Sequence, residues 1–250
     1  MTKMPDKKLK KVAFLGYKGG VGKTSLCLGV ADSLHRRDEK SLIIDWDKQR
    51  NLTKIIKDAS KTPHGITTLL TTGSVDSFTV NEHIELIVGS ADANESKYDR
   101  IPHDTLSLRL RNVDCHVLID LNATIDYSII QSKVFCDTFV ILLTGNTTAF
   151  DGAMELAGDI VEWNKRDPDR PEAHIRFCFV HNCYNKGKDA RVIDDAIAAL
   201  YPDVALFRVS NRRIVDHATN EKCFVSQIKG ESQGLILGEY DEITSWILEG

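Results

Sequence analysis

Short runs of near-continuous Val, Ile and Leu recur along this chain, separated by longer amphipathic segments, and that alternation narrows the folds open to it. The runs predict strands over Lys11–Gly16, Ser41–Asp45, Ile84–Val88, His116–Leu121, Thr138–Leu143, Ile175–His181 and Val204–Phe207. Helical patterns lie over Thr24–Arg36, Asp104–Arg111, Tyr127–Val134, Ala149–Lys165, Ala190–Leu200 and Leu235–Leu248. Strands without apolar/polar alternation are covered on both faces, and strands joined through helices run parallel. The expected class is therefore α/β, a doubly wound and mostly parallel sheet with helices on both faces. No repeat, linker or low-complexity tract divides the chain, so residues 11–250 read as one domain. Residues 1–10 read as a basic tail within a start that carries five lysines in eleven residues, either a solvated tail or an auxiliary nucleic-acid contact.

Composition removes several classes. With 250 residues, 42% of them hydrophobic, and a net charge of −4, the chain buries a core without staples and is not dominated by disorder. Its apolar runs are strand-length, far below the ~20 residues of a membrane-spanning helix. Val12–Leu15 is also too short for the core of a secretory signal. The six cysteines form no C-x-x-C pair and read as reduced thiols, and the eight histidines show no metal-ligand spacing, so zinc is not expected.

In a doubly wound sheet the loops after the strands build the site. The first strand runs into Gly16-Tyr17-Lys18-Gly19-Gly20-Val21-Gly22-Lys23-Thr24, and a helix follows at once. Closely spaced glycines let the backbone curl so that successive N–H groups point at one anion, and the helix N-terminus adds partial positive charge. Lys23 reaches toward phosphates, and the Thr24 hydroxyl suits Mg²⁺. This is a P-loop, although Tyr17 stands where the strict pattern asks for glycine. The second strand ends Asp45-Trp46-Asp47, two acids at i and i+2 that point to one side of an extended chain. Asp45 fits either the metal and phosphate region or a turn and helix-capping role. The fourth strand closes on Asp120, as a Walker B acid does when it holds Mg²⁺ through water.

The phrase Lys18-Gly19-Gly20-Val21-Gly22-Lys23-Thr24 resembles the deviant Walker A motif of the ParA/MinD family of dimeric ATPases. ParA relatives carry D-x-D-P-Q-G-N-x-T after strand two, matched here at Asp45, Asp47, Gln49, Asn51 and Thr53, with Lys48 for the proline and Arg50 for the glycine. The proline pair that usually follows the Walker B acid is absent, since Leu121-Asn122-Ala123-Thr124 follows Asp120. A family phrase after strand five recurs at Gly152 and Leu156. The resemblance implies a P-loop NTPase fold, with ATP held by Lys18, Gly19, Gly20, Val21, Gly22, Lys23, Thr24 and Ser25. It implies Mg²⁺ near Thr24, Asp45 and Asp120, and catalysis by Lys18, Lys23 and Asp47. Lys18 would cross to the partner subunit's phosphates, and Asp47 would lie near the attacking water. Asn182 would contact adenine, unless it is a turn asparagine.

Further implications concern partners. The resemblance implies a nucleotide-sandwich homodimer that binds double-stranded DNA without sequence preference. A ParB-like centromere-binding or adaptor protein would stimulate its hydrolysis, giving plasmid or chromosome partition in a prokaryotic cytoplasm, on the nucleoid. Arg191, Arg212, Arg213 and Lys222 are the DNA-binding candidates, a solvated charged face being the alternative. MinD-type relatives end in a basic membrane-binding helix. Here the last helix carries Glu239, Asp241, Glu242 and Glu249 and no basic residue, so no membrane partner is expected. No operator-binding extension is expected before strand one. Cys115 and Cys136 lack the loop context of the cluster-holding cysteines of the related nitrogenase iron protein. Two alternatives stay open: the same switch positioning a protein cargo, and a P-loop small-molecule kinase or ligase.

Overall fold

The computed structural model describes residues 8–62, 65–93, 95, 98, 100–123, 127–166, 174–211 and 213–250. Among the described residues eight strands form one sheet: β1 (Lys11–Leu15), β2 (Ser41–Trp46), β3 (Phe78–Thr79), β4 (Ile84–Ile87), β5 (His116–Leu121), β6 (Thr138–Leu143), β7 (Arg176–Tyr184) and β8 (Leu206–Ser210). Their spatial order is β3-β4-β2-β5-β1-β6-β7-β8, and every pairing is parallel except the short β3 against β4. The doubly wound α/β class expected from the sequence is thus the observed one. Strands β2, β5 and β6 are buried at every residue, as the absence of apolar/polar alternation required.

The helices are α1 (Lys23–His35), α2 (Asn51–Ile55), α3 (Ile66–Thr72), α4 (Thr105–Arg109), α5 (Tyr127–Phe135), α6 (Thr147–Arg166), α7 (Lys188–Leu200), α8 (Arg213–Glu221) and α9 (Gln233–Glu249). Three of these, α2, α3 and α8, were not expected. The first two are short, and α8 buries only Ile214 and Ala218, too narrow a stripe to read as a core-facing helix. The last strand lies two to three residues beyond its expected place, at Leu206–Ser210 instead of Val204–Phe207. Val204 belongs to the turn closed by its N–H donating to the Tyr201 carbonyl.

Topology places the site. β2, β5 and β1 are adjacent, so the loop after β1, the acids ending β2 and the acid ending β5 emerge side by side. Register sharpens this, since Asp120 of β5 lies level with both Asp45 of β2 and Phe14 of β1.

The acidic last helix packs inside the molecule. Asp241 on α9 pairs with Arg36 at 2.6 Å, and Arg37 donates to the Asp241 carbonyl at 2.9 Å. Ile247 is buried, and Trp246 packs edge-on to Phe207 of β8. Among the described residues no helix is long and apolar enough to cross a membrane. Gly29 in α1 lets this contact form, because a β-carbon there would come within 2.5 Å of the buried Tyr240 ring of α9. Gly→Ala in an open helix stabilises by about 1 kcal/mol. At this position the overpacked ring reverses the sign, and Gly29→Ala is expected to destabilise by about 1–3 kcal/mol in urea unfolding. A stabilised variant would contradict the α1–α9 packing.

Candidate functional site

Gly16 leaves β1 where a side chain has no room, since a β-carbon would meet Val21 at 2.6 Å and the Leu142 carbonyl at 3.2 Å. Gly20 and Gly22 then take left-handed φ values of 78° and 92°, which side chains resist. Gly22 caps α1, its carbonyl accepting from the Leu26 N–H at 2.9 Å. Asn182, at the end of β7, presses against Gly22 and donates its amide to the Val21 carbonyl at 2.8 Å. That bond braces the loop, and Asn182 also lines a small recess of about 150 Å³ with Cys183, Asn211 and Asp216. Around Gly19 and Gly20 a β-carbon would meet nothing within 4 Å, so this stretch of backbone is open to a ligand.

Behind the loop lies a desolvated charge cluster. Lys23 is buried and rests its ammonium 3.4 Å from the Gly16 carbonyl. Burial lowers its pKa, opposed by the nearby Asp120 and Asp47 carboxylates. Thr24 donates its hydroxyl to Asp120 Oδ2 at 2.7 Å, while Asp120 Oδ1 is buried with no hydrogen-bond partner. Burial first, then the Asp45 charge, raises the Asp120 carboxyl from 3.8 to about 8. A threonine hydroxyl beside a buried acid with an unused oxygen is an all-oxygen donor set, which fits a hard cation such as Mg²⁺.

Asp47 lines the mouth of a cleft of about 440 Å³ whose other walls are the P-loop, Gln49, Asn51 and the Asn122–Ala123 turn. Its carboxylate accepts from the Gln49 N–H at 2.8 Å, which fixes its direction. Asp45 is placed differently. Its Oδ2 accepts from both the N–H and the hydroxyl of Thr53, at 2.8 and 2.6 Å, and it is absent from the cleft lining. The Thr53 hydroxyl in turn accepts from the Gly89 N–H. Asp45 therefore ties Thr53 of α2 to the end of β2, while the N-cap of α2 is Arg50, and burial lifts the Asp45 carboxyl to about 6. Arg50, which stands where the family pattern has glycine, holds a left-handed φ of 55°, a conformation that glycine adopts more readily than arginine.

Lys18 and Tyr17 are exposed on the outer side of the loop, and Tyr17 lies across the bare face of α6 at Gly152, where a β-carbon would be 2.2 Å from it. Gly152 is thus explained by the tyrosine that replaces the P-loop glycine, a pairing the sequence did not disclose. Arg191 on α7, Arg213 opening α8 and Lys222 after it are all exposed, and Arg212 lies outside the described residues. Asp189, Asp195, Asp216 and Glu221 share these helices. Cys115 immediately precedes β5 and Cys136 lies two residues before β6, at the end of the sheet opposite the P-loop.

Fold and loop together define a P-loop nucleoside triphosphatase. Residues 9–170 match the AAA domain family AAA_31, and the chain belongs to that family, with the fold of ParA/MinD-type ATPases. It is 24% identical to the uncharacterized protein MJECL24 of Methanocaldococcus jannaschii over 95% of this chain and 98% of that one. Among solved structures it superposes on apo McdA of Cyanothece with a TM-score of 0.80 at 17% identity, covering 96% of this chain and 100% of that one. A putative plasmid partition protein of Borrelia burgdorferi bound to AMPPNP gives 0.78 at 18% identity, covering 97% and 99%. Cobyrinic acid a,c-diamide synthase of Mycobacterium smegmatis, with ADP and magnesium, gives 0.76 at 18%, covering 97% and 95%. At these identities the structural likeness establishes the fold.

The raised carboxyls set a pH dependence. Asp120 and Asp45 titrate near 8 and 6 when folded, against 3.8 as ordinary carboxyls, so the ligand-free native state holds more protons than the unfolded chain between about pH 4 and pH 8. Stability should therefore fall as pH rises through that window and level off above it, by on the order of a few kcal/mol in urea unfolding. Asp120→Asn keeps the shape and removes the larger titration, so its profile should be flatter and the variant more stable than the parent at the alkaline end. A parent profile that is flat or rising would contradict the buried-acid arrangement.

Proposed function

We propose that the chain is an ATP-dependent dimerisation switch that binds DNA without sequence preference and partitions a plasmid or chromosome region. The observation that carries this reading is the division of labour between two lysines on one loop. Lys23 is buried within its own site, whereas Lys18 is exposed at the rim of the loop. A second cation at the mouth is suited to a phosphate chain presented by another subunit, where it neutralises charge as an arginine finger does. A metabolite kinase or ligase working within one cleft has no use for it.

The residues then divide the chemistry. The P-loop N–H groups from Lys18 through Ser25 cradle the phosphates of ATP, and Asn182 keeps that loop in shape beside the base recess. Thr24 and Asp120 would hold Mg²⁺, with Asp45 supporting them from behind through α2; bound there, the ion supplies positive charge to the phosphates. Asp47, held by the Gln49 N–H, orients the attacking water in line with the terminal phosphoryl group. Lys23 and the partner's copy of Lys18 meet the charge that builds on that group. Residues 11–250 act as the ATPase unit behind the basic tail, in a prokaryotic cytoplasm and on the nucleoid. A ParB-like centromere-binding or adaptor protein would accelerate hydrolysis and release the DNA.

The DNA surface would combine Arg191, Arg212, Arg213 and Lys222 from two subunits. The net charge of −4 leaves only a local patch for the task, so doubling the patch by dimerisation provides the gate. Fluorescence anisotropy on an arbitrary labelled duplex, with ATP, ADP or no nucleotide across a salt series, tests this. Retention is expected with ATP alone and should weaken steeply with salt. Arg191→Glu with Arg213→Glu should lower affinity more than tenfold while nucleotide binding persists. Equal retention in all three nucleotide states would remove the switch from the account, and no retention in any would remove DNA as the track.

A further inference from the structure

The histidines, unremarkable by spacing, meet in space at the sheet edge opposite the P-loop. His35 closes the last turn of α1, and Glu82 and His83 form the turn that leads into β4. The two imidazoles present Nδ1 to Nδ1 at 3.1 Å, and the Glu82 carboxylate completes a trio of ligand atoms lying within 4.8 Å of one another. We infer that His35, Glu82 and His83 form a binding site for a borderline divalent transition-metal ion of the Zn²⁺ type.

The geometry is that of such an ion. Two nitrogens each about 2.05 Å from a tetrahedral centre stand about 3.3 Å apart, close to the separation seen. The imidazole planes are tilted by 54°, so both lone pairs can converge without the rings stacking. Both backbones are fixed. The His83 N–H donates to the Asn81 side chain at 2.9 Å and its carbonyl accepts from the Ser41 N–H at 2.8 Å, which ties the turn to β2. The His35 carbonyl accepts from the Asp38 N–H at 3.0 Å in the turn that ends α1. The half-buried histidines are thus preorganised, and the exposed Glu82 closes on the same ion by a change of rotamer. Three protein ligands leave a fourth position for water.

Charge and donor type select the ion. His35 sits at a helix C-terminus, where partial negative charge favours a cation. Two imidazoles and one carboxylate suit Zn²⁺, Co²⁺, Ni²⁺ or Cu²⁺ and give Mg²⁺ too few oxygens. An ion here would tie the far end of the P-loop helix to the β3–β4 turn, without touching the nucleotide site.

The test uses the full chain, stripped with chelator and saturated with Mg·ADP. Zn²⁺ is titrated in competition with a chromophoric chelator, and Co²⁺ is added separately to read its absorption bands. The expected result is one equivalent of Zn²⁺, unaffected by excess Mg²⁺, with Co²⁺ d–d bands and no thiolate charge-transfer band. His83→Gln and His35→Asn should each weaken binding more than tenfold, with Mg·ADP affinity unchanged as the check on folding, and Glu82→Gln should weaken it less. Thiolate bands, Zn²⁺ affinity unchanged in a folded His83→Gln variant, or no Zn²⁺ uptake would each overturn the proposal and leave a histidine–histidine hydrogen bond.

Discussion

A lysine ammonium and an aspartate buried together behind a turn of glycines set the terms for everything around them. Lys23 and Asp120 are nearly excluded from water, and Asp120 Oδ1 has no hydrogen-bond partner among the described residues. Burial pushes the pKa of each toward its neutral form, the lysine down and the acid up. A phosphate chain on the loop and a hard cation beside Thr24 would reverse both shifts. The fold therefore holds both groups at a desolvation cost, which a bound phosphate chain and cation would relieve. The sheet makes this possible, because β1, β2 and β5 are neighbours and their ends deliver one loop and three acids to one place.

The same arrangement separates residues that act from residues that hold. Asp45 and Asp47 are two positions apart, yet Thr53 captures the first and the cleft receives the second. Asn182 braces the loop from β7 at the spot where Gly22 has no side chain. Tyr17 lies over Gly152 of α6, and this leaves Lys18 at the outer rim. Asn182 and Tyr17 thus hold the phosphate loop from β7 and against α6, while Thr53 holds the acid behind it.

The strands and the P-loop were legible because buried parallel strands read as uninterrupted apolar runs and because a phosphate cradle needs glycines at fixed places. The second-strand acids were legible as a pair, but their different roles were not, since Thr53 is eight residues away and nothing in its identity says which acid it binds. Arg50 shows the limit of substitution reading. An arginine stands where the family pattern has glycine, yet it takes the left-handed φ that a glycine would favour. Helix α8 escaped notice because two buried side chains leave no readable stripe. The cluster of His35, Glu82 and His83 spans 48 positions, and only the adjacency of β2 and β4, with α1 leading into β2, brings its members together.

The central claim is that Lys18 serves a neighbouring subunit while Lys23 serves its own. Light scattering coupled to size-exclusion chromatography, run with ATP and with ADP on the parent chain and on Lys18→Ala, addresses it directly. The account predicts a doubled mass for the parent with ATP alone, and for Lys18→Ala a monomer that still binds ATP. An ATP-dependent dimer that persists undiminished in Lys18→Ala would contradict it.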